Sequence, residues 1–219
     1  MKKVLIIAVA LIAALPVAYA NTYLFTSSPR VIGDTSATTS GLYPITVWGF
    51  NNASTSVSKV DGSISLNGNA AKLSYNSNGL GVAATNYEIT LSSFVVVDFS
   101  DPGGPKPSGA TTATFNIDNA DSGWIIYGGT TEPVSGAVGA AGGISGLTLV
   151  TSGSLNNSAL QVTLGSYSYL AIIAARTCYL NINSITTDTS TPTPEPATFA
   201  LAGMALIGLG VALRKTRKR

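Results

Sequence analysis

The chain contains no histidine and a single cysteine, and charged residues make up only 10% of it. Each shortage closes a class of function. Without imidazole there is no Ser-His-Asp or Cys-His arrangement and no histidine-ligated metal. One thiol, Cys178, allows no intramolecular disulfide and takes the thiolate sets of zinc away as well. Cys178, Leu180 and Ile182 alternate with Tyr179, Asn181 and Asn183, which places the sulfur on the apolar face of a strand as a small buried hydrophobe. No Walker-type Lys-Ser/Thr loop and no dinucleotide fingerprint occurs. The glycine-rich stretches stand in β-forming sequence, where no helix N-terminus would hold a phosphate.

Positive charge is short where it would matter most. The formal charge is +2 and the sequence pI is near 8.7, yet Lys2, Lys3 and the last six residues carry seven of the twelve cations. Between residues 21 and 196 stand five cations (Arg30, Lys59, Lys72, Lys106, Arg176) against ten anions. The body is therefore acidic, and nucleic acid is not an expected partner.

Long apolar runs are confined to the two ends. Lys2 and Lys3 precede the run Val4 to Leu15, and Ala18-Tyr19-Ala20 follows it. This is the pattern of a secretory signal peptide, residues 1–20, with cleavage by signal peptidase expected after Ala20. At the other end, 197–213 is free of charge and is followed by Arg214, Lys215, Arg217, Lys218 and Arg219. Seventeen helical residues reach about 25 Å, at the short end for a transmembrane helix. Cations beside a span stay on the cytoplasmic side, so the body is expected outside the inner membrane.

What lies between is rich in Thr, Ser, Asn, Gly, Val and Ile. Glutamate occurs there only at Glu88 and Glu132 up to residue 191. Strands are favoured on propensity, and the period agrees. Leu160, Val162 and Leu164 alternate with polar residues, as do Ile64 and Leu66, and Phe115 and Ile117. FVVVDF (94–99) and YLAIIAA (169–175) are apolar on both faces and read as central strands, covered on both sides. LYPITVWGF (42–50) is a further strand that Pro44 confines to an edge or a strand start. Turn signals stand at Asp61-Gly62, Asn67-Gly68, Asn78-Gly79, Asp101 to Gly104 and Asn156-Asn157. Residues 128–146 hold seven glycines and read as a long loop or a weak edge strand. The expectation is ten to twelve short strands in an antiparallel β-sandwich, a jelly roll, over residues 21–185, with a Thr/Pro-rich stalk at 186–193.

The final residues, 194–219, place Pro194-Glu195-Pro196 before Thr198 and Phe199, then a Gly/Ala/Leu span, then RKTRKR. This resembles the PEP-CTERM sorting signal of Gram-negative bacteria. The resemblance implies recognition at Pro194, Glu195 and Pro196 by an exosortase, a membrane-embedded peptidase that removes the tail. It also implies a host that builds exopolysaccharide or biofilm matrix. An ordinary uncut anchor is the plain alternative. A looser resemblance lies in the body. Gly79-Leu80-Gly81-Val82, Glu88-Ile89 and the strand ending in Asp98-Phe99, together with SYLAIIAARTCYLNINSIT, look like the jelly-roll domain of many PEP-CTERM proteins. Ser92 and Ser93 stand where those proteins often carry a second glutamate.

The remaining chemistry rests on oxygen ligands and aromatic rings. Glycosidases need two carboxylates, and Glu88, Asp98, Asp101, Asp118, Asp121 and Glu132 are the candidates. Glu88 and Asp98 fall in or beside strands and would have to share a sheet face. Asp101, Asp118 and Asp121 sit in turn-like sequence. Asn116 to Gly123 clusters oxygen ligands and makes Ca2+ the best cofactor hypothesis, although it lacks EF-hand spacing and reads first as a turn. Trp48 and Trp124 are candidates for a sugar-stacking platform, against the ordinary reading that they fill the core. The sequence thus reads as an exported, non-enzymatic surface or matrix protein. The alternatives are a lectin-like carbohydrate-binding module and a carboxylate-based hydrolase.

Overall fold

β-Branched side chains stiffen the backbone toward extended conformations, and a period of two sorts each strand into two faces. The computed structural model describes residues 20–25, 30–31, 36–38, 45–86, 88–99, 111–118, 123–154, 157–176 and 179–188. They form β1 (Ala20–Leu24), β2 (Arg30–Val31), β3 (Ser36–Thr38), β4 (Thr46–Val57), β5 (Ile64–Ala71), β6 (Leu73–Asn76) and β7 (Gly79–Val82). A 3-10 turn, Ala83–Thr85, leads to β8 (Ile89–Thr90), β9 (Ser93–Asp98), β10 (Thr112–Asp118) and β11 (Trp124–Gly129). Then follow β12 (Ala141–Gly153), β13 (Asn157–Thr163), β14 (Tyr169–Ala174) and β15 (Tyr179–Asp188). The fold is all-β, and the registered pairings between these strands are antiparallel.

Two sheets result. One runs β13-β10-β15-β7-β6-β2, with β1 and β8 also held by β15. The other runs β3-β4-β5-β12-β11-β14-β9, and β9 pairs back onto β4. That last pairing, Thr46↔Asp98 to Asn51↔Ser93, closes six strands into a ring: β4, β5, β12, β11, β14, β9 and β4 again. Closure removes the free edges that an open sheet would present.

The ring explains the strands that are apolar on both faces. Val95 and Val97 of β9 join Leu170 and Ile172 of β14 in a core shared with Leu80, Phe115, Val162 and Ile182 of the other sheet. Phe94 and Val96, with Ala171 and Ile173, point the other way into the ring. There they meet Phe50, Leu66, Tyr127, Ile144 and Leu147, so all six strands feed one interior. Phe50 and Phe94 stack at its centre, 4.7 Å apart and 12° from parallel. The space between the sheets has its own ring contact, Phe99 edge-on to Phe115 at 6.4 Å and 82°. Each central strand therefore serves two cores.

Several expectations change. The described strands number more than twelve, because short pieces such as β2, β3 and β8 pair on their own. Asn67-Gly68 is not a turn; it lies inside β5. A Cβ at Gly68 would sit 2.6 Å from the Asn51 carbonyl oxygen and 3.3 Å from the Phe94 ring, so glycine is needed for close packing rather than for turning. β12 is no edge strand. It lies between β5 and β11, and only residues 130–140 ahead of it are loop-like. β15 runs past residue 185 into the expected stalk, because Thr186 and Thr187 are paired on both sides, with β1 and with β10. The Asp61-Gly62 turn is present, closed by the Ser63 amide donating to the Asp61 carboxylate at 2.9 Å.

Residues 1–19 and 189–219 lie outside the described residues. So do Ala18 of the expected cleavage site, the helix expected at 197–213, Pro194 to Pro196, the basic tail and Cys178. Ala20 is the first residue of β1. Among the described residues no helix is long and apolar enough to cross a membrane.

Candidate functional site

Among the described residues, Glu88 and Asp98 do not come together as a pair. Glu88 precedes β8, and its carbonyl accepts from the Thr85 hydroxyl at 2.6 Å and lies 3.4 Å from Ser93 Oγ. Asp98 closes the far end of β9, opposite Thr46 and Tyr169. Ser93 and Asp98 are thus separated by a whole strand of about 17 Å at the usual rise. A glycosidase pair stands about 5–9.5 Å apart, so Glu88 and Asp98 do not meet the spacing that the hydrolase alternative needs. Partial burial pushes the Glu88 carboxyl above its ordinary value, with no second carboxylate needed to account for it.

Ser93 opens β9. Its side chain is fully buried, accepts from the Thr90 amide at 2.8 Å, and lies 3.1 Å from Thr85 Oγ1. It ties the turn between β8 and β9, which is a structural task. Glu132 is exposed and lines a shallow depression of about 190 Å³ with Asn67, Thr131 and Ser145. Asp118 is not in a turn but ends β10, because Phe115 and Ile117 keep the strand period running into it. Asp101 and Asp121 lie outside the described residues. Among the described residues no group of three or more acidic, histidine or cysteine side chains is placed to hold a metal. Of the expected Ca2+ loop, Asn116 and Asp118 are strand residues, and 119–122 lie outside the description.

The tryptophans do not form an exposed platform. Trp124 is only 4% exposed, packed in the core between the sheets, with its ring against Gly153. Trp48 is half-buried and faces the ring interior, tilted on Tyr169 at 6.3 Å. Both serve packing.

The residues that do gather were not singled out by the sequence. β4 and β5 lose register between Asn51 and Ser54, and Asn52 adopts a left-handed φ of 50°. This is a β-bulge, and asparagine tolerates the conformation better than most residues. Asn51 and Asn52, at the bulge, line an open cleft of about 460 Å³. Asn69, directly opposite Asn51 on β5, lines it too. Lys72, the one residue between β5 and β6, adds the cleft's single charge, and Ala84 and Gly139 form its rim. The volume falls in the range of about 300–1,000 Å³ usual for small-ligand sites.

The backbone around the cleft is tied down. The Gly139 amide donates to the Ala70 carbonyl, and the Ala83 amide to the Lys72 carbonyl, both at 2.8 Å. The side chains are not: among the described residues, Asn51, Asn52, Asn69 and Lys72 make no side-chain hydrogen bond or ion pair. The Asn51 Oδ1 is buried without a partner. An orphan buried acceptor costs about 1–3 kcal/mol. Such groups are uncommon and call for a reason.

A model of the PEP-CTERM protein-sorting motif matches residues 192–218. No curated protein matches the chain. Among solved structures, the chain is similar to a low-affinity xylan-binding module from the gut symbiont Roseburia intestinalis. That alignment has 12% identity and a TM-score of 0.28, and covers 78% of this chain and 96% of the module.

Proposed function

We propose that the protein is an exported, non-enzymatic component of a bacterial surface or exopolysaccharide matrix, delivered by its two ends. Residues 1–20 are the signal peptide that signal peptidase removes. The helix at 197–213 and its basic stop hold an inner-membrane intermediate of a Gram-negative host. An exosortase then acts at Pro194-Glu195-Pro196 and releases the body to the cell surface or matrix. The body itself is taken as a jelly-roll-like sandwich. The observation that carries the reading is the sorting motif over 192–218. The separation of Glu88 from Asp98 and the absence of histidine support a non-catalytic role over a hydrolase. The unpartnered amides of the cleft favour the lectin-like alternative as the molecular task within the matrix.

Fractionation and intact-mass measurement of the protein in an exosortase-bearing host test this. The wild type is expected to begin at Asn21, to lack the basic tail and to leave the inner membrane. Alanine at Pro194, Glu195 and Pro196 together is expected to leave the tail attached and the protein in the membrane fraction. An intact chain in the cytosol with residues 1–20 attached overturns the proposal, and an uncut wild-type tail reduces it to a plain anchor.

A further inference from the structure

We propose that the cleft beside the β4 bulge is a binding site for a carboxylate-bearing polysaccharide. Lys72 would hold the carboxylate, and Asn51, Asn52 and Asn69 the hydroxyls. The choice of a polysaccharide rests on the matrix reading above; the site does not.

Three observations converge. First, the bulge itself lies in the wall of the cleft, and bulges are commonly retained beside functional sites. Second, the fold makes no use of these groups. Four polar side chains line the cleft without an intramolecular partner among the described residues, and one acceptor, Asn51 Oδ1, is buried. A carboxamide both donates and accepts, as a sugar hydroxyl does, so the amide lining suits a polyhydroxylated ligand. Third, the lining holds one cation and no carboxylate, in a body with twice as many anions as cations. A neutral sugar would leave Lys72 unused. A phosphate would find a single cation and no helix N-terminus. No aromatic ring lines the cleft, so binding depends on hydrogen bonds and charge rather than stacking. The backbone hydrogen bonds of Gly139 and Ala83 hold the rim in place before a ligand arrives.

The test uses the full chain, purified in detergent, run through native gels cast with polygalacturonate or with its fully methyl-esterified, neutral form. Retardation is expected with polygalacturonate and not with the ester. Lys72→Gln and Asn51→Ala are each expected to weaken retention about tenfold, the loss of one good polar contact. Ala84→Trp changes an exposed rim residue and is expected to fill the cleft and abolish retention with the melting temperature unchanged. Equal retention of wild type, Lys72→Gln and Ala84→Trp overturns the site. Equal retention by acid and ester overturns the role given to Lys72, and no retention by either overturns the proposal. A chain that is exported and trimmed but not retarded sinks the site alone. A chain retarded through the cleft yet found whole in the cytosol sinks the matrix reading alone.

Discussion

The ring interior and the space between the sheets are built from the same strands but differently filled. The ring is aromatic: Phe50, Phe94, Tyr127 and Tyr169, with Trp48 at its border. The inter-sheet core is mainly branched aliphatic, with two phenylalanines and Trp124. Six strands closing on themselves leave a narrow lumen, where large rings must be offset by residues with no side chain. Gly68 and Gly142 supply that room, since a Cβ on either would press on Phe50 or Phe94. The space between the sheets uses glycine too, since a Cβ at Gly153 would press on Trp124 and one at Gly49 on Leu73, but it fills mainly with Val, Ile and Leu.

The comparison breaks most sharply at its centres. Phe94→Ala in the ring and Phe115→Ala between the sheets are each expected to cost about 3–5 kcal/mol in urea unfolding, as for other buried phenylalanines. Because β4, β9, β11 and β14 serve both cores, the two should melt together. The chain's two tryptophans divide between them, Trp48 with the ring and Trp124 with the sandwich. The single-tryptophan variants Trp48→Phe and Trp124→Phe should therefore give coincident fluorescence transitions. An earlier transition for Trp48 would show the ring to be a separate cooperative unit. A smaller effect is expected on the ring's outer face. Asn51→Leu removes the orphan acceptor and should raise stability by about 1 kcal/mol in thermal melts. Loss of stability there would mean that the amide is satisfied in solution.

The smallest effect lies on the other sheet. Burial raises the folded pKa of Glu88 above its ordinary value of 4.5. The folded state therefore favours the protonated form, and stability is greatest below the ordinary pKa and declines as pH rises through the folded one. Glu88→Gln should stabilise slightly at pH 7 and not at pH 3. A gain of equal size at both values would remove desolvation as the cause.

Much of the fold was legible as period. The alternation in β10 and β13, and the two-sided apolar runs of β9 and β14, follow from which faces are covered. Ring closure was not legible. It depends on β9 returning to β4, a pairing of residues over forty positions apart, and on a bulge written only as Asn51-Asn52. Gly142 reads as looseness because sequence shows a missing side chain but not the Phe50 ring that takes its place. The cleft was missed for a related reason. Asparagine announces a turn, and Lys72 looks like any surface cation until the passage from β5 to β6 sets it beside three amides. A polar doublet interrupting the strand-forming run 45–57 was the one available signal.

The first described strand lies against the last. β1 pairs with the final five residues of β15, whose opposite edge is held by β10. Any tension transmitted through the chain beyond Asp188 would pull lengthwise on a strand gripped from both flanks. Hydrogen bonds loaded in that direction must slip together instead of unzipping singly. A body tethered at that point is clamped where the force enters.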